Sequence, residues 1–121
     1  MQSGARTIRL IGYSGGGVLA ALLALRRQDV SSLITVASPL ALGEWARLKG
    51  ISPLSASLDP ALEAGTLPPA TYWIGRDDAV VPIPVIEQFV RSKGGQIRPV
   101  QGYDHDCCWT RDWSRLLKES P

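Results

Sequence analysis

The chain has 121 residues, 45% of them hydrophobic and 20% charged, a composition that suits one globular domain and excludes a disordered chain or a string of domains. Thirteen Lys and Arg against eleven Asp and Glu leave a formal net charge of +2, too balanced for the basic stripe that a phosphate backbone requires, so no nucleic-acid partner is expected. The longest mainly apolar run, Val18 to Leu25, falls far short of the roughly 20 residues that span a bilayer, and Met1-Gln2-Ser3-Gly4 carries no basic region leading into an apolar core. Neither a membrane span nor a secretory leader is expected in this chain, and its location is left unassigned, with the cytoplasm only as the default.

Thr7-Ile8-Arg9-Leu10-Ile11, rich in β-branched and apolar residues and halted by Gly12, reads as a first strand. Gly15-Gly16-Gly17 opens a helix running from Val18 to Arg27, with Val18, Leu22 and Leu25 on one face. Leu33 to Ala37 is a second strand. From Ser38 to Pro69 the pattern loosens, with Pro39, Pro53, Pro60, Pro68 and Pro69 separating one short helix, Gly43 to Lys49, from loop. Tyr72-Trp73-Ile74 is a third strand stopped by Gly75, and Pro84 to Arg91 a helix that turns Val85, Ile86, Phe89 and Val90 inward. A fourth strand, Gln96 to Val100, precedes a final amphipathic helix carrying Trp109, Trp113, Leu116 and Leu117 on one side and ending near Lys118. This alternation predicts an α/β fold, a mostly parallel sheet of about four strands with flanking helices, whose functional residues gather at the carboxyl ends of the strands.

The only cysteines, Cys107 and Cys108, are neighbours. Across a trans peptide their Cα atoms would lie about 3.8 Å apart, below the usual disulfide range of about 4.4 to 6.8 Å, so packed thiols are expected rather than a staple. A single histidine flanked by Asp104 and Asp106 gives no metal-ligand pattern, and the two carboxylates read as solvated loop charges. Trp45, Trp73, Trp109 and Trp113 read as core, Trp45 least securely because it lies in the proline-rich connection.

Gly12-Tyr13-Ser14-Gly15-Gly16 matches G-x-S-x-G between a predicted strand and a predicted helix, where a tight turn lifts a serine hydroxyl above the sheet. Small neighbours are needed there because the flanking segments approach closely. Gly75-Arg76-Asp77-Asp78-Ala79-Val80-Val81-Pro82 then sets a carboxylate just past the third strand, and Gly102-Tyr103-Asp104-His105 sets the histidine just past the fourth. Serine, acid and histidine thus fall, in that chain order, at one edge of the sheet.

Over nearly its whole length the chain resembles the carboxyl-terminal half of an α/β-hydrolase, including the G-x-x-D-x-x-V-P-like segment Gly75 to Pro82 and a histidine before the last helix. The resemblance implies a serine hydrolase of the carboxylic-ester type that uses no cofactor. Ser14 would be the nucleophile, Asp78 the acid, with Asp77 as the fallback, and His105 the base. The Gly15 N–H would be one oxyanion donor. Only thirteen residues precede Ser14, so the family's first four strands and the loop that gives the second oxyanion donor have no counterpart here. One truncated domain over 1–121 is therefore expected, with Thr7 to Ile11 showing an unpaired apolar edge open to self-association or a partner chain.

Two other classes compete. An inactive hydrolase-like fragment or interaction scaffold would account for the missing segment. A dinucleotide-binding domain is suggested by Gly15-Gly16-Gly17-Val18-Leu19-Ala20, which fits G-x-G-x-x-A, but the next strand ends Val36-Ala37-Ser38-Pro39 without the acid that would hold a ribose. The short connection from Ser38 to Pro69 further suggests an open site for a small-molecule acyl substrate with a small or exposed acyl group.

Overall fold

Strands and helices alternate along the chain: β1 (Ile8–Tyr13), α1 (Gly15–Arg26), β2 (Val30–Val36), α2 (Leu42–Lys49), β3 (Ala70–Gly75), α3 (Ile83–Lys93), β4 (Gln96–Val100) and α4 (Trp109–Lys118). The computed structural model describes residues 7–51 and 58–120; the Met1–Gly4 stretch and Pro53 lie outside them. The sheet has four strands in the order β1-β2-β3-β4, with every neighbouring pair parallel. Each connection between strands carries a helix, as parallel neighbours require. No helix among the described residues is long and apolar enough to cross a membrane.

The two central strands are buried almost throughout because both faces of the sheet are covered. Alternation along β2 and β3 divides their side chains between two cores. Leu33, Tyr72 and Ile74 pack with Ala20, Ala21 and Ala24 of α1 and with Val85, Ile86 and Phe89 of α3. On the opposite face Ile34, Val36 and Trp73 pack with Trp109 and Leu116 of α4. The helix α1 meets the sheet through alanines rather than leucines, which lets it lie close, and Leu19 and Leu23 are left exposed. β4 forms one edge and carries Pro99, where a missing N–H disturbs no further ladder. β1 forms the other edge, with Ile11 and Tyr13 about half exposed.

The first strand does not stop at Gly12 but runs through it to Tyr13. A Cβ on Gly12 would run into the Gly16 carbonyl and the Gly17 amide, whereas one on Gly15 or Gly16 would meet nothing. The close approach in the turn is therefore of the strand's glycine onto the first turn of α1. Gly12→Ala is expected to destabilise the fold by about 1–3 kcal/mol, since backbone must shift to admit a methyl group. Urea unfolding would show it as a lowered midpoint at unchanged slope.

β2 begins three residues earlier than the pattern suggested and ends at Val36, because Ala37 turns to a positive φ of 52° and leaves the ladder. The expectation of packed thiols is also corrected. Cys107 and Cys108 are joined by a cis peptide, their Cα atoms are 3.0 Å apart and their sulfurs are paired, so the trans spacing on which that expectation rested does not apply.

Candidate active site

Ser14 stands between the last residue of β1 and the first of α1, at φ 52° and ψ −123°, a backbone region that non-glycine residues occupy only under constraint. The constraint is visible on both sides. Its N–H donates to the Val36 carbonyl of β2 at 2.7 Å, and its carbonyl accepts the Gly17 N–H at 3.0 Å. Ser14 occupies the N-cap position of α1 yet its hydroxyl caps nothing, which leaves Oγ free for other work. Among the described residues no acceptor takes the Gly15 N–H, one of the unsatisfied donors at a helix start, where the helix dipole favours negative charge.

The acid loop follows β3. Asp78 has a fully buried side chain, with Oδ1 accepting the N–H groups of Val80 at 2.8 Å and Val81 at 2.7 Å. Those two bonds fix the carboxylate so that Oδ2 faces His105 Nδ1 at 2.9 Å. Asp77, one residue earlier, points to solvent and takes no part. Gly75, at the end of β3, makes the approach of the two loops feasible: a Cβ there would strike the Tyr103 carbonyl.

His105 is largely sheltered, its side chain 16% exposed, and its Nε2 lies 3.2 Å from Ser14 Oγ. With Nδ1–H donated to Asp78, Nε2 carries the lone pair that faces the serine hydroxyl. Ser14, Asp78 and His105 therefore form one connected run from three different loops, at the carboxyl ends of β1, β3 and β4.

The loop that carries the histidine is held by residues whose part was not read from the sequence. The Trp109 indole donates to the His105 carbonyl at 3.1 Å, and the Tyr13 hydroxyl lies 3.0 Å from both that carbonyl and Asp106 Oδ1. Tyr13 thus ties the strand leading to the serine directly to the backbone of the histidine. Burial, followed by the hydrogen bond to Asp106, raises its phenol above the usual range. Asp104 is no idle surface charge either. Its Oδ1 accepts the N–H groups of Asp106 and Cys107, and these bonds hold its carboxyl below the usual range. The motif names Tyr13 only as an unspecified residue, so nothing in the spacing could have found it.

Tyr13→Phe is expected to loosen the loop around His105, read as faster amide hydrogen exchange there with the rest of the fold unchanged.

A cleft opens beside the serine, between α1, α2 and the acid loop, lined by Ser14, Gly15, Val18, Leu19, Leu22, Trp45 and Val81 among others. Trp45, the least secure of the four tryptophans in sequence, donates its indole N–H to the Val80 carbonyl at 2.7 Å and so braces this wall against the acid loop. A second cleft lies along the edge of β1, between Tyr13 and the α4 residues Trp109 and Trp113, and does not reach Ser14.

No protein-family profile matches the chain, and no curated protein is detectably similar to it in sequence. Solved structures do match. Thermogutta terrifontis esterase 2 phosphoramylated by tabun superposes with a TM-score of 0.65 at 22% identity, over 93% of this chain and 53% of that one. The Paleococcus ferrophilus monoacylglycerol lipase matches with a TM-score of 0.68 at 14% identity, over 98% of this chain and 69% of the lipase. An alpha-beta serine hydrolase homologue from Coxiella burnetii matches with a TM-score of 0.59 at 24% identity, over 94% and 46%. The chain thus spans about half the length of the esterase. Parallel sheet order, helix placement and these superpositions agree that the chain carries a partial α/β-hydrolase fold.

Proposed function

We propose that the chain is a serine hydrolase acting on carboxylic esters or related acyl compounds, with Ser14 as nucleophile, His105 as general base and Asp78 as its orienting acid. The observation that carries this reading is the run of contacts in which His105 Nδ1 lies 2.9 Å from Asp78 and Nε2 lies 3.2 Å from Ser14 Oγ. A buried carboxylate on one ring nitrogen and a serine hydroxyl on the other is the arrangement that activates a hydroxyl near neutral pH.

The reaction runs in two halves. As Ser14 Oγ attacks the acyl carbon, His105 Nε2 takes its proton, and the carbonyl oxygen becomes an oxyanion facing the Gly15 N–H. Asp78 stabilises the resulting imidazolium and keeps its ring in place. Collapse of the tetrahedral intermediate breaks the bond to the leaving alkoxide, which receives the proton from Nε2. Water then attacks the acyl-enzyme, gives its proton to Nε2, and the acid departs as Ser14 Oγ recovers that proton. No step needs a cofactor.

Hydrolysis of a soluble aryl ester by the purified chain, compared with the Ser14→Ala variant, tests this directly. Loss of about 10⁴-fold or more in kcat is expected on removing the nucleophile. Equal rates for the two proteins would remove the proposal.

A second reading is favoured by β1, which among the described residues pairs with β2 alone and leaves Ile11 and Tyr13 about half exposed. On this reading the chain is a hydrolase-like interaction module that meets a second copy or a partner along that edge. Sedimentation at rising concentration distinguishes the two: self-association without esterase activity favours the module, and an active monomer excludes it.

A further inference from the structure

We infer that the site takes esters whose acyl group is an uncharged aliphatic chain of about six or more carbons, seated in the cleft between α1, α2 and the acid loop. This rests on the proposed role of Ser14 as nucleophile. The cleft begins at Ser14 and Gly15, where the acyl carbon and its oxyanion would sit, and continues between Val18, Leu19 and Leu22 of α1, Leu42 and Trp45 of α2, and Val81. Among the described residues none of the lining side chains is ionisable. Among the described residues its one polar side chain beyond Ser14, Trp45, already donates its indole N–H to the Val80 carbonyl, which leaves the Gly15 N–H for the oxyanion. A charged or peptide-like acyl group would therefore lose its hydration there and find no partner, whereas an alkyl chain would lose nothing.

The volume, about 580 Å³, far exceeds what an acetyl group fills and falls within the usual range of ligand pockets, about 300–1,000 Å³. This departs from the small or exposed acyl group suggested by the short connection after Ser38. That connection itself supplies part of the wall, through Pro39, Leu42, Trp45 and Leu58, and α1 supplies Val18, Leu19 and Leu22. Leu19, 65% exposed, and Val80, 42% exposed, stand among the lining residues as apolar surface that a bound chain would cover.

The test separates binding from chemistry. Ser14→Ala protein is titrated with methyl butyrate and with methyl octanoate, both below their aggregation concentrations, by calorimetry and by tryptophan fluorescence. Each fully buried methylene contributes about 4-fold, so even partial burial of the additional methylenes should make the octanoate bind at least about 10-fold more tightly than the butyrate. Adding Leu19→Asp, a change at an exposed helix position that the fold tolerates, should cut that ratio several-fold. Equal affinities, or no detectable binding of either ester, overturn the inference. Labelling of the wild-type serine by a fluorophosphonate is measured alongside. Labelling with no chain-length preference would defeat the inference alone, whereas a preference without labelling would uphold the cleft as an acyl-binding site and defeat the proposed catalysis.

Discussion

Asp78→Asn is expected to lower kcat for ester hydrolysis about 10⁴-fold while leaving the fold intact. The side-chain carbonyl of asparagine can still accept the Val80 and Val81 N–H groups that fix the loop, so the backbone has no reason to move. What changes is the atom facing His105 Nδ1, where a carboxylate oxygen now sits at 2.9 Å. An amide NH₂ there favours the tautomer with the proton on Nε2, which can no longer accept from Ser14. Asp77→Asn, at the exposed neighbouring position, supplies the control and should leave the rate within about 2-fold, as surface changes away from special features usually do. Equal losses from the two substitutions would show that the loop and not the carboxylate matters.

Phe89→Ala is expected to cost about 3–5 kcal/mol of stability, a large part of the 5–15 kcal/mol typical of a whole domain. Phe89 is fully buried on α3 and meets the Tyr72 ring edge-on at 5.4 Å, in the core that joins α1, α3 and the two central strands. Removing it leaves a cavity under β3, the strand that delivers Asp78. The melting temperature should fall on the order of 10–20 °C, read by circular dichroism. Labelling of Ser14 should fall with it only near the new transition, since the site itself is untouched.

Much of this fold is legible in the sequence because its elements have strong periodicity. β4 and α4 lie where the pattern places them, and all eight elements are in the expected order. The boundaries shift where tertiary contacts override local signals. Gly12 reads as a strand stop, yet the ladder with β2 carries β1 on to Tyr13, because Gly12 is there to admit the first turn of α1 rather than to end a strand. Ala37 reads as strand by its neighbours, and its positive φ could not be inferred from an alanine. The candidate site was legible in its residue types and spacing. Asp78, the residue the motif favours over Asp77, is the buried one of the two and is held by two loop amides. Tyr13 and the cleft walls were not legible, since a hydroxyl reaching 93 residues along the chain to Asp106 leaves no local signature.

The most direct measurement exposes the purified chain and its Ser14→Ala variant to a fluorophosphonate and weighs the intact proteins. Such probes phosphonylate a serine only when a base has made its hydroxyl nucleophilic. A single adduct is expected on the wild-type chain and none on the variant. Absence of an adduct on a folded wild-type chain, or an adduct that persists in Ser14→Ala, would contradict it.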